Sequence, residues 1–596
     1  MRLSQLYCNR PDQFGPIRFN PGINVVLGEI RLPKNRDKDT HNLGKTTLAR
    51  VLDFCLLRKR HKEFFLFKQT QFAEFVFFLE LETLDGKYLT IKRSVAQHSR
   101  ISFKHHSEPL RDYLDLTEAD WDHPAVPFKR ARQMLDGALD LRAIQPWDYR
   151  MPVSYALRTQ RDFNDVFQLD KFRGPHADWK PYIAHLLGFD ADLVRENYEL
   201  ARQIESLEET IKSIRAELIG VDTNLDTIEG LLTLKSEDAD ALGRRIDAFD
   251  FRLADAKVNK ELVDDLDRQI GDSNQQRYYL SINRDKITRS LEEHRVLFDP
   301  ESASLLFEEA GQTFPKQIRK EFDDLIRFNR AITDERKEYL VRELKTLDEE
   351  LRELETRLDG LNERRKEALS FLKDADSIKK YRTLNKQLVN MRAEIERMGF
   401  QRNALLRQRE KVRGQRRLEE RRSQVQQQLE DDIEAQASSE SRYQAIRKFV
   451  SEITQQVLDR KALVSTRLNQ QGNIEFSAEY LGADGKTSSE DQGKSYRQVL
   501  CAAFDLAVAR VLAEQPFIRF LYHDGLLEGL DNRKKLNLIQ TVRRFAGFGI
   551  QQIVTVIDSD LPVGDDGERF EFREGEVVLR LHDEDESGRL FRMVGW

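Results

Sequence analysis

Gly44, Lys45, Thr46 and Thr47, within HNLGKTTLAR (41–50), have the types and order of the second half of a phosphate-binding loop. In such a loop the backbone N–H groups at a helix start hold phosphate oxygens, helped by the helix dipole. Lys45 would reach the β/γ-phosphates and Thr46 would ligate Mg²⁺. The usual loop, G-x-x-x-x-G-K-[ST], has four residues between its glycines. Here the upstream glycine that ends a strand-like run is Gly28, in GINVVLG (22–28), and fifteen residues (29–43) separate it from Gly44. Those residues are polar and basic, so they read as an insertion that loops out of the cradle. Gly28, Asn42, Gly44, Lys45, Thr46 and Thr47 are therefore the candidate nucleotide contacts. The competing reading is a loop carrying a chance GKTT.

Triphosphate hydrolysis on such a loop needs a second strand ending in Asp, which holds Mg²⁺. PFIRFLYHD (516–524) supplies an apolar strand ending at Asp524, and Asp531 follows seven residues later in GLD. In ABC-type ATPases an Asp–Glu strand end is followed at that spacing by a Leu-Asp pair, the D-loop, and Leu530–Asp531 resembles it. Asp524 is followed by Gly525 where the water-activating Glu is usual, so Glu528 and His523 are the nearby candidates for that role, each with an ordinary structural role as the alternative. Losing a general base costs roughly 10²–10⁴-fold in rate. Gln160, in ALRTQRDFND (156–165), sits where a glutamine would sense Mg²⁺ and the γ-phosphate. In SSEDQGKSYRQVLCAAFDLAVARVL (488–512) a polar turn enters an apolar helix. It lacks Leu-Ser-Gly-Gly, but Gly493, Lys494 and Ser495 stand near the signature position and could meet a γ-phosphate bound to a second subunit. QQIVTVID (551–558) ends in Asp558 where a switch histidine is usual. These departures point to slow turnover, with nucleotide acting mainly as a dimerisation switch.

The two halves lie far apart in the chain, so something must bring them together. Of fifteen prolines, eleven fall between Pro11 and Pro181, and only Pro300 and Pro315 fall between 182 and 515. A proline-poor stretch is free to be helical. Leu200, Ile204, Leu207, Ile211, Ile214, Leu218, Val221, Leu225, Ile228 and Leu232 step by four and three, the seam of a coiled coil. A second seam runs from Leu340 to Leu361 and a third from Leu384 to Met398, with KDADSIKK (373–380) reading as a stutter between them. The expected organisation is an α/β head half at 1–190, an outgoing arm at 191–295, a tip at 296–335, a returning arm at 336–445 and a second head half at 446–596. At ~1.5 Å per residue each arm is on the order of 150 Å long. Antiparallel folding of the arms would join the halves into one P-loop head. FAEFVFFLELETLDGKYLTIKRSV (72–95) predicts a β-hairpin turning at Asp85–Gly86. RFEFREGEVVLRLHD and GRLFRMV predict a closing hairpin or sheet edge.

This layout resembles the SMC, RecN and double-strand-break-repair branch of the ABC ATPases. IRFNPGINVVLGE at the start is similar to their first strand and loop. LLFEEAGQTFPKQIRKEFDDLIRFNRAITDERKEYL (305–340), FLYHDGLLEGLDNR (520–533) and VVLRLHDEDESGRLFRMV (577–594) resemble the YydD-like bacterial family, a domain of unknown function. The resemblance implies ATP and Mg²⁺ as ligands and a homodimer joined through its heads. It also implies control of DNA binding or of an effector, a nuclease or small middle component from the same operon, in anti-phage defence. The alternatives are a RecN-like DNA repair ATPase and a coiled-coil scaffold with a vestigial head.

The 596 residues suggest two to four domains. With 97 Lys+Arg against 103 Asp+Glu, net charge −6, the chain does not read as a general nucleic-acid binder, and DNA contact would be local, at clusters such as RLPKNRDK (31–38). Cys8, Cys55 and Cys501 have no zinc or disulfide spacing. No signal-peptide pattern and no long apolar run occur, so a cytoplasmic protein is expected.

Overall fold

The computed structural model describes residues 1–32, 43–218, 224–249, 254–292, 316–370, 375–438, 440–482, 485, 487–488, 493–564 and 568–594. Asn42 and residues 296–315 of the expected tip lie outside the described residues. The protein is a mixed α/β chain with long helices. It divides into two compact units, Met1–Ser206 with Arg416–Trp596, and Leu207–Gln415.

The site-bearing element of the first unit is a five-stranded parallel sheet. Its strands are β1 (Ile23–Glu29), β2 (Leu157–Arg158), β3 (Phe520–Asp524), β4 (Gln551–Ile557) and β5 (Val577–His582), in the spatial order β5-β1-β4-β3-β2. Parallel strands covered on both faces read as continuous apolar runs, and FLYHD is buried at all five positions. β4 lies between β1 and β3, with Val554 opposite Val25 and Thr555 opposite both Val26 and Asp524. Two strands from before residue 160 thus share one sheet with three from after 519. The expected closing element at the C-terminus is an edge: β5 pairs in parallel with β1, Leu581 opposite Gly28.

A six-stranded antiparallel sheet packs into the same hydrophobic core. It holds the hairpin predicted at 72–95, Val76–Glu82 against Tyr88–Ser94, with Glu82 opposite Tyr88 and Gly86 at φ 77°. A smaller three-stranded sheet holds Ala462–Leu468, Ile474–Leu481 and Thr487–Ser488. Helix α1 (Lys45–Cys55) follows β1 in sequence; α2 (Lys494–Val511) and α3 (Asn532–Ala546) flank β3 in sequence.

In the second unit, helix Ala254–Glu292 packs against Lys316–Ser370 in antiparallel sense: Asp267 pairs with Arg365 and Arg284 with Asp348, each at 2.7 Å. Leu347, Leu354, Leu358 and Leu361 of the second predicted seam are buried. The first seam is interrupted: helix Ala191–Glu217 ends, residues 219–223 lie outside the described residues, and Leu225–Asp247 starts afresh. Asn224 caps that new helix, its side chain accepting from the Asp226 N–H. Among the described residues no helix is long and apolar enough to cross a membrane.

Candidate functional site

The loop between β1 and α1 closes on glycines. Gly44, the residue before α1, has φ 104°, a left-handed conformation, and a Cβ there would lie 2.6 Å from Leu590 Cβ. The backbone N–H of Leu590 donates to the Leu43 carbonyl at 3.0 Å, so the C-terminal segment abuts the loop. At Gly28 a Cβ would meet Leu43 at 3.2 Å and the Lys45 stem at 3.6 Å. The end of β1 therefore runs directly beneath Lys45. Thr46 and Thr47 occupy the first turn of α1.

Asp524 ends β3 next to this turn. Thr46 Oγ1 donates to Asp524 Oδ2 at 2.5 Å. The other carboxylate oxygen accepts from Thr555 Oγ1 at 2.7 Å, and Thr555 in turn accepts from the Gly525 N–H at 2.8 Å. Tyr522, two residues back and so on the same face of the strand, donates its hydroxyl to the Lys45 carbonyl at 2.7 Å. Burial lowers the Lys45 pKa, while the carboxylates of Asp524, Glu528, Asp560 and Asp558 act to raise it. Thr46 and Asp524 are oxygen donors of the kind a hard divalent cation takes. No cluster of three His, Cys, Asp or Glu ligands occurs among the described residues. A Mg²⁺ here would thus complete its shell with water and substrate oxygens, as that ion commonly does.

Gln160 follows β2 in a short helical turn, Gln160–Asn164, fixed by a reciprocal Thr159–Asp162 capping box. Its Nε2 donates to Glu528 Oε1 at 2.5 Å. Lys494 Nζ lies 3.5 Å from the other Glu528 oxygen. Burial raises the Glu528 pKa; Lys494 and Lys45 oppose this, and Asp560 and Asp524 add to it. A cavity of about 230 Å³ opens beside these groups, lined also by Asn164 and Arg497. Gly493 precedes α2, whose first turn is stitched to the turn after β3. Ser495 Oγ donates to the Gly529 carbonyl at 3.1 Å, and Gln498 donates to the Gly525 carbonyl. Asp531 caps α3, accepting from the Lys534 N–H at 3.0 Å.

His523 is turned elsewhere. Strand alternation places it on the face opposite Asp524, buried, with Nε2 3.1 Å from Asp505 Oδ2. Asp505 also receives Arg158, from Nε at 2.7 Å and from the terminal nitrogen at 2.9 Å. Arg158 further donates to the carbonyls of Asp162, Asp165 and Val166. Sequence reading overlooked Thr555, Asp560, Gln498 and this buried Arg158–Asp505 pair. The available signals were weak: a Thr inside the apolar run of β4, and a lone Asp inside the apolar helix AAFDLAVA.

Residues 453–594 match a family described as an uncharacterised protein conserved in bacteria (DUF2326). That range includes FLYHDGLLEGLDNR and VVLRLHDEDESGRLFRMV and omits 305–340. No curated protein matches the chain. Among solved structures it is similar to the Smc head domain of Pyrococcus yayanosii with a coiled coil and joint, at 12% identity over 93% of this chain and 92% of that one, TM-score 0.34. A Pyrococcus furiosus Smc head with an extended coiled coil, bound to the C-terminal domain of ScpA, matches at 10% identity over 94% and 90%, TM-score 0.32. An SmcHead bound to the C-winged helix domain of ScpA matches at 8% over 94% and 89%, TM-score 0.31.

Proposed function

We propose that this chain is an SMC-like ABC ATPase. The first unit is a P-loop head assembled from both ends of the chain, and it binds ATP with Mg²⁺. The observation that carries this reading is the 2.5 Å hydrogen bond from Thr46 to Asp524, residues 478 positions apart. A Ser/Thr after the loop Lys and an Asp at a neighbouring strand end are the two protein groups that hold Mg²⁺ in P-loop enzymes. The N–H groups at the start of α1 receive the phosphates. Lys45 would meet the γ-phosphate, with Asp524, Glu528, Asp560 and Asp558 supplying the negative charge that acts on it. Bound there, Mg²⁺ would neutralise charge on the β- and γ-phosphates. Gly493 and Ser495 at the start of α2, with Asp531, form the surface that meets nucleotide held by a second head, so ATP joins two heads. The arms at 191–295 and 336–445, with the tip at 296–335, carry that change to DNA or to an effector from the same operon. On this reading the chemistry serves bacterial anti-phage defence in the cytoplasm, a role supported by the resemblance of 520–533 and 577–594 to the YydD-like family.

The test is equilibrium binding of ATP to the purified full chain, wild type against Lys45→Ala. Wild type is expected to bind saturably and Lys45→Ala to lose that binding. Equal binding by both proteins would remove the site from this loop.

A further inference from the structure

In place of the strand-end glutamate of hydrolytic ABC enzymes this chain has glycine, and the turn after β3 supplies a physical reason. Gly525 has φ 74°, in the left-handed region that disfavours side chains. Both sides of its peptide are tied down: its N–H donates to Thr555 Oγ1, and its carbonyl accepts from Gln498 Nε2 and from the Glu528 N–H. A Cβ built on Gly525 would stand 2.5 Å from Glu528 Oε1 and 3.0 Å from Gln160 Nε2. The Glu528 carboxylate therefore fills the space where a side chain at 525 would begin. It arrives there from three residues further along, folded back by the tight turn.

We infer that Glu528 is the group that activates water for hydrolysis, a general base moved in sequence but kept in place in space, and that Gly525 exists to make room for it. The inference rests on the ATPase reading above. Three features of the site support it. Gln160 holds one carboxylate oxygen at 2.5 Å, and Lys494 approaches the other at 3.5 Å, so the side chain is aimed rather than free. Its Oε1 stands 2.5 Å from where a Cβ on Gly525 would be, one residue after Asp524 at the end of β3. His523, the other sequence candidate, is committed to Asp505 on the opposite face of the sheet.

The step is an in-line displacement. The water oxygen bonds to the γ-phosphorus while the bond from that phosphorus to the β–γ bridging oxygen breaks. The bond's electron pair leaves on ADP. One water proton passes to Glu528 and then to solvent, and the other remains on the inorganic phosphate.

The decisive experiment measures ATP binding and single-turnover hydrolysis, with and without duplex DNA, on the full chain. Glu528→Gln should bind ATP as wild type does and hydrolyse it on the order of 10²–10⁴-fold more slowly. Gly525→Ala should also slow hydrolysis by displacing the carboxylate. Hydrolysis by Glu528→Gln within about twofold of wild type would overturn the assignment. So would a wild-type protein that binds ATP through Lys45 and never cleaves it, an outcome that leaves nucleotide binding standing. Loss of Lys45-dependent binding altogether would instead defeat the ATPase reading itself.

Discussion

Each unit of this protein holds an Arg–Asp pair, buried in the first and partly buried in the second, and the two pairs are served very differently. In the first unit Arg158 and Asp505 are almost wholly enclosed, with side chains 0% and 3% exposed. Arg158 still reaches two carboxylate oxygens and three backbone carbonyls. Burial pushes Asp505 up, but Arg158 and His523 together hold it below the ordinary carboxylate value. In the second unit Asp267 faces Arg365 at 2.7 Å, and burial, reinforced by nearby Asp264, pushes it up to about 6 despite that arginine. The difference lies in the backbone. A helix consumes its own N–H and C=O groups along its length, so a charge buried between helices has only side chains to turn to. The short turn at Gln160–Asn164 and the residues just after it, by contrast, offer the carbonyls of Asp162, Asp165 and Val166 to Arg158. Burying a charge is tolerable where hydrogen bonds replace its hydration, and costly where they do not.

This contrast can be broken or sharpened by substitution. The largest effect is expected at the satisfied pair. Arg158→Ala leaves Asp505 buried with His523 as its remaining side-chain partner and should destabilise the first unit by about 3–5 kcal/mol, read from urea unfolding. A cost near zero would mean the carbonyl network contributes little. At the other pair the effect should depend on pH. Asp267 has a native pKa near 6 against an unfolded value near 3.9, so the native state holds the proton more tightly. Its ionisation therefore lowers stability as pH rises from about 4 to about 6 and leaves the full penalty above that window. Asp267→Asn, neutral throughout, should gain on wild type across that window by on the order of 3 kcal/mol, with no gain below pH 4. A difference that does not vary with pH would show that Asp267 titrates normally. The smallest effect is expected at Arg284–Asp348, where both side chains are more than a third exposed. Arg284→Ala should leave the unfolding midpoint of the second unit unchanged within error.

Much of the chain's organisation was legible because it is periodic. The Leu340–Leu361 seam and the proline-poor stretch marked long helices, and Leu347, Leu354, Leu358 and Leu361 of that seam are buried. The apolar runs INVVLG and FLYHD marked strands, and Lys45 opens a helix as its sequence context predicted. The break after Glu217 escaped the pattern, since Leu218, Val221 and Leu225 keep the heptad step straight through it. Asn224 ahead of Leu225–Asp226 was the available cap signal. At the site, Thr46 and Asp524 were legible by type and spacing. The partners that orient them were not. Thr555 is a single polar residue in a buried strand, and its neighbour Asp524 lies 31 positions away.

What the amino-acid order settled alone was local: that the run at 44–47 opens a helix, that INVVLG and FLYHD are strands, and that Gly525 rather than a glutamate follows Asp524. Hydrophobic period and helix-start chemistry act over a few residues and can be read one segment at a time. Which face of β3 each side chain takes, and that Glu528 folds back over Gly525, were settled by the packed structure. Those outcomes depend on Thr555, Gln498 and Gln160 arriving from distant segments, and no pattern within a segment encodes the place where such groups meet.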